Sequence, residues 1–117
     1  MTEQGTTERA AMLQQILAAN PGDSFARYGL AMDYAGRNDL ESSLREFATL
    51  LRDNPAYTPG YFMAAQTLVR AGRTRDAKQH LEQGIASARR EGNAHAESEM
   101  QAMLDQVSEE LENEPGK

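Results

Sequence analysis

Cysteine and tryptophan are absent from the 117 residues, and His80 and His95 are the only histidines. Without cysteine there is no disulfide framework, thiolate nucleophile or Cys-ligated zinc, and a reducing cytoplasm is the expected address. No run approaches the roughly 20 apolar residues that a membrane-spanning helix needs. The start MTEQGTTERA shows no basic-then-apolar leader. Valine and isoleucine occur twice each, while Ala, Leu, Gln, Glu and Arg abound, which favours helix over strand. With 39% hydrophobic and 26% charged residues, the composition is that of a folded chain long enough for one domain.

The net charge of −6 is unevenly placed. Residues 1–91 carry eleven acids and eleven bases, so seven acids after residue 91 against Lys117 account for the whole excess. Net repulsion from phosphates argues against a nucleic-acid partner. Arg70, Arg73, Arg75, Lys78, Arg89 and Arg90 form a locally basic stretch. It has no interleaved aromatics and reads as a solvated helix face. Neither a nucleic acid nor a membrane is expected as partner.

A period of 34 residues runs through the chain. Asn20-Pro21 recurs as Asn54-Pro55; Leu13, Phe47 and Leu81 share the interval, as do Leu17, Leu51 and Ile85. Leu30-Ala31 aligns with Ala64-Ala65, Tyr34 with Leu68, and Ser43 with Ala77. Fixed-period self-similarity of this kind marks stacked supersecondary units. The punctuation inside each period predicts two helices. Asp23 caps one that ends at Gly36, and Asn38 with Glu41 reads as a capping box for the next. Thr58-Pro59 and Thr74 read as the following two starts, with Gly72 terminating between them. Ahead of Pro21, a helix from about Thr7 to Ala19 carries Leu13, Ile16 and Leu17 on its apolar face. Beyond Gly92-Asn93 the strict register would bury Ser98 and Glu99, whereas a two-residue shift supplies Met100 and Leu104. The preceding helix is therefore expected to run on to about Arg90. The predicted helices are 7–19, 23–35, 39–53, 58–71, 74–91 and 94–112.

These positions resemble the tetratricopeptide repeat signature. In residues 24–57 the matches are Leu30, Ala31, Tyr34, Phe47 and Pro55, with Arg27 in the aromatic slot. In residues 58–92 they are Tyr61, Ala65, Gly72, Ala77 and Leu81, without a closing proline. The resemblance implies an all-α domain over 1–117: six helices, with antiparallel hairpins stacked as a short right-handed solenoid. Residues 7–21 would form a partial repeat, 93–112 an acidic capping helix and 113–117 a frayed tail. One such hairpin cannot bury its apolar face alone, so neighbours must stack on it.

Chemistry is poorly represented. His95 and Glu99 lie four apart on one helix face, where an ordinary surface pair is the better explanation, and no glycine-rich phosphate loop follows a strand. The reading is a noncatalytic protein, with no cofactor or metal. The resemblance implies a concave groove lined by Phe25, Tyr28, Gly29 and Met32 from one helix and by Phe62, Met63, Gln66, Val69 and Arg70 from the next. Ser98, Glu99 and Ala102 would extend it from the last helix. Aromatic and Met side chains suit an apolar peptide or amphipathic helix of a protein partner. The Lys and Asn residues with which some family members clamp a C-terminal carboxylate are replaced by residues such as Tyr28, Met32 and Met63, although Arg70 near Gln66 would still receive one acidic group. The alternative is self-association into a homodimer, through the groove or through the stripe of Met100, Met103, Leu104, Val107 and Leu111.

Overall fold

The computed structural model describes residues 7–114, and of the frayed tail expected at 113–117, residues 115–117 lie outside them. Among the described residues there are six α-helices and no strand: α1 (Glu8–Ala19), α2 (Ser24–Gly36), α3 (Leu40–Asp53), α4 (Thr58–Arg70), α5 (Thr74–Arg90) and α6 (Ala94–Glu112). The chain divides into two compact units, one reaching Pro55 and the other starting at Ala56. In the first, α2 packs against both α1 and α3. In the second, α5 packs against α4 and α6, and α6 also meets α4.

Two kinds of turn join the helices. After α1 and α3 the chain leaves through Asn20 and Asn54, each donating its N–H to a carbonyl one turn back (Ile16 and Leu50, both 2.8 Å), and each followed by a proline that cannot continue a helix. After α2, α4 and α5 the turn is left-handed at Asn38 (φ 64°), Gly72 (φ 77°) and Gly92 (φ 69°). The next N–H then reaches back to the last helical turn: Asp39 to Tyr34, Arg73 to Leu68 and Asn93 to Ala88, at 2.8–2.9 Å. This hydrogen-bond pattern satisfies orphan carbonyls at a helix end and needs Gly or Asn at the left-handed position. The α5–α6 link is thus of the tight kind, and α5 runs unbroken to Arg90, as the register shift requires.

The caps differ from the sequence reading by one residue. Asp39, not Asn38, caps α3 by accepting from Ser42 N at 3.2 Å, because Asn38 is taken up by the left-handed turn. Thr58 is the first residue of α4 rather than its cap. Its buried hydroxyl pairs with Ser87 Oγ of α5 at 2.8 Å. Thr74 likewise begins α5 without capping it. Thr7, Asp23 and Asn93 do cap, accepting from Ala10, Ala26 and Ala96 at 2.9–3.0 Å.

The repeat register is visible in what each unit buries. Ser43 and Ala77 are both fully buried; the Ser43 hydroxyl donates to Ala31 O at 2.8 Å, so α3 lies close against α2. Phe47 and Leu81 fill the equivalent large positions. Met100 is buried while Ser98 and Glu99 are exposed, which confirms the two-residue shift in α6. One core assignment fails: Ile16 is 39% exposed, because α1 turns Ala10 and Leu17 toward α2 and leaves Ile16 facing outward.

Candidate functional site

In the first unit the predicted groove residues ride on α2. Burying Ala26, Leu30, Ala31 and Ala35 fixes the rotation of this helix and turns Phe25, Tyr28 and Met32 to another side. Spaced i, i+3 and i+7, these three share a stripe. Phe25 is 77% exposed, whereas Tyr28 and Met32 are half-buried. Tyr28 meets Phe47 edge-on, with ring centroids 6.3 Å apart at 69°, so part of its ring belongs to the α2–α3 packing. At Gly29 a Cβ would come within 3.4 Å of Leu13 Cδ1, a close approach of α1 to α2.

In the second unit the residues lie on α4. Tyr61, Ala64, Ala65 and Leu68 are buried; Phe62, Gln66 and Val69 form a half-buried stripe with Met63 beside it, and Arg70 is exposed at the helix end. Gly84 of α5 is where three helices converge. A Cβ there would overlap Met100 Sδ of α6 and lie 2.6 Å from Tyr61 Cβ of α4. Ser98, Glu99 and Ala102 of α6 are exposed.

The electrostatics are those of a surface. Arg89–Glu97 (2.7 Å) and Arg75–Glu114 (3.2 Å) tie α5 to the two ends of α6, as exposed pairs of small net value. His95 Nε2 lies 3.5 Å from Glu99, the surface pair anticipated, and His80 Nδ1 is 2.9 Å from Asp76 O of its own helix. Among the described residues no three His, Cys, Asp or Glu side chains are grouped to hold a metal ion, and no helix is long and apolar enough to cross a membrane. An open cleft of about 580 Å3 lies between α5 and α6. It mixes Arg75 and Lys78 with Glu82 and Glu112 over Leu111, a lining without a common chemistry.

Tyr61 is the interior group whose ionisation the fold alters. Burial raises its pKa above the ordinary phenol value of 10.0, and the nearby charge of Arg90 offsets part of the rise. The folded chain then holds a proton that the unfolded chain has released, so stability falls as pH climbs from about 10 through the folded value. Urea midpoints should drop in this alkaline window, and Tyr61→Phe should reduce the drop; an identical profile in the variant would show the phenol plays no part.

No family model matches the chain. A tetratricopeptide repeat domain protein from Salinibacter ruber is 32% identical, over a match covering 75% of this chain and 89% of that one, with a TM-score of 0.71. The chain belongs to the tetratricopeptide repeat family. The TPR repeat-containing protein PA0015 of Pseudomonas aeruginosa is 29% identical over 92 residues, which are 79% of this chain and 88% of that one. The Yersinia enterocolitica chaperone SycD, solved in complex with a peptide of the translocator YopD, has a TM-score of 0.79 at 16% identity, covering 90% of this chain and 79% of that one. That likeness is one of fold.

As a tetratricopeptide repeat protein the chain departs from its signature at Arg27, which holds the place that Tyr61 holds 34 residues later. Arg27 Nη1 donates to Glu46 at 2.8 Å and Nη2 to Pro21 O at 3.1 Å, so a mostly buried ion pair links α2 to α3 where an aromatic ring would pack. Arg37 stands at the position of Ala71. Its guanidinium pairs with Asp33 at 2.9 Å and lies over the Tyr34 ring at 4.9 Å.

Proposed function

We propose that the chain is a noncatalytic interaction module that binds an extended peptide or an amphipathic helix of a partner protein on the apolar stripe of α2 in the first unit or of α4 in the second. The observation that carries this is Phe25, 77% exposed at the head of a stripe continued by Tyr28 and Met32. An aromatic ring kept in water makes no packing contribution to the fold, but it offers a rigid anchor to a ligand. Phe62, Met63 and Val69 offer α4 a comparable surface, half-buried and adaptable in shape, with Gln66 and Arg70 as polar contacts. The SycD structure supports the same kind of ligand, since it shows a protein of this fold in complex with a peptide. The scattered histidines and carboxylates fit a role without catalysis, cofactor or metal. The acidic balance fits one without nucleic acid or membrane, and a chain free of cysteine suits the cytoplasm.

The test uses wild type, Phe25→Ala and Phe62→Ala as bait in a pull-down from the native host, followed by calorimetry with the purified ligand segment. Phe25→Ala should leave the melting temperature unchanged and weaken binding by about tenfold or more, as truncation of an interface aromatic does. Undiminished affinity in both variants would remove the stripes from the binding surface.

A further inference from the structure

α1 has two apolar sides. One, with Ala10 and Leu17, is buried against α2. The other carries Glu8, Met12, Gln15, Ile16 and Ala19, spaced as one helical stripe, with Met12 61% and Ile16 39% exposed. Three large hydrophobic side chains are exposed among the described residues, and these are two of them. Residues 10–22 contain no charge. A helix that is apolar on both sides is ordinarily covered on both.

We propose that this outward face is a self-association surface, on which a second copy of the chain lays its own α1 antiparallel about a two-fold axis near Gln15 and Ile16. Size and charge both select this occupant. About that axis Met12 of one copy meets Ala19 of the other, large against small, and Gln15 meets Ile16, so the stripe is complementary to itself. Charges on α1 are confined to Glu8 and Arg9 at its start. A parallel pair would set like charges side by side. The antiparallel pair separates Glu8 from its symmetry mate by about 22 Å along the axes at 1.5 Å per residue, well beyond the roughly 8 Å screening length of physiological salt. Met12, Gln15, Ile16 and Ala19, the part of the face nearest the axis, carry no charge, so a chain of net charge −6 meets its copy there through neutral side chains. One face of a 12-residue helix is far smaller than the roughly 800 Å2 per partner of a standard interface, so the dimer is weak and reversible. This assigns self-association to α1 rather than to the α2 and α4 stripes or to α6, where Met100 and Val107 are already buried.

The absence of cysteine makes the test clean. Sedimentation of the full chain should show a monomer–dimer equilibrium at high concentration, lost in Met12→Glu/Ile16→Lys while helicity and melting temperature are retained. Under mild oxidation Gln15→Cys, close to the axis, should form a covalent dimer, whereas Glu8→Cys should stay monomeric. A strict monomer up to about millimolar concentration, near the effective concentration that a short tether supplies, would overturn the proposal. So would a dimer indifferent to the double variant, or equal crosslinking at the two cysteines.

Discussion

Phe47→Ala should lower the unfolding free energy by about 3–5 kcal/mol, the range for removing a buried aromatic ring and leaving its cavity. Phe47 is 1% exposed in α3 and supports the edge-on Tyr28 ring from beneath, so the substitution removes both burial and an aromatic pair. Domains of this size are stable by only about 5–15 kcal/mol, so the loss is at least about a fifth of the total. Urea denaturation followed by far-ultraviolet circular dichroism measures it directly. A loss below about 1 kcal/mol, the level of ordinary surface or marginal changes, would mean that Phe47 does not anchor α3 to α2.

Gly84→Leu should destabilise the second unit by a comparable amount, and Gly84→Ala by about 1–3 kcal/mol, the usual cost of overpacking. The Ala result is the more informative because helix propensity alone predicts the opposite sign: Ala in a helix interior is worth roughly 1 kcal/mol more than Gly. Here the new methyl meets Met100 Sδ, which can swing aside, and Tyr61 Cβ, which is fixed to the α4 backbone and cannot. Steric cost therefore outweighs propensity. Gly36→Ala is the control, since nothing lies within 4 Å of a Cβ there. Thermal melts of the three variants should rank Gly36→Ala at or above wild type, then Gly84→Ala, then Gly84→Leu. Equal or higher stability for Gly84→Ala would mean that the three helices do not converge as described.

The helices and their register were legible because burial repeats. Phe47 and Leu81, Ser43 and Ala77, stand 34 apart in sequence and play matching parts in their units. The longer α5 was legible from Ser98 and Glu99, which no core would accept. What escaped was information held elsewhere in the chain. Thr58 has the chemistry of a cap, but Ser87, 29 residues away, claims its hydroxyl. Asn38 and Asp39 both have cap chemistry, and only the left-handed turn decides between them. The signal was available at Gly72, 34 residues after Asn38, whose glycine marks that slot. Spacing also placed Phe25, Tyr28 and Met32 on one stripe without showing how deep each lies. Periodicity reports which side chains share a face, and it was silent on Ile16 facing out because α1 carries apolar residues on two sides.

The proposed function requires the exposed parts of the α2 and α4 stripes to meet a partner. Nuclear magnetic resonance of the 12.9 kDa chain, titrated with the ligand segment recovered in the pull-down, tests it most directly. Aromatic and methyl signals of Phe25, Met32, Phe62, Met63 and Val69 should shift on binding, while those of the buried Leu30, Leu81 and Ile85 change little. Shifts confined to α6 or to the α5–α6 cleft, with the α2 and α4 stripes unmoved, would contradict it.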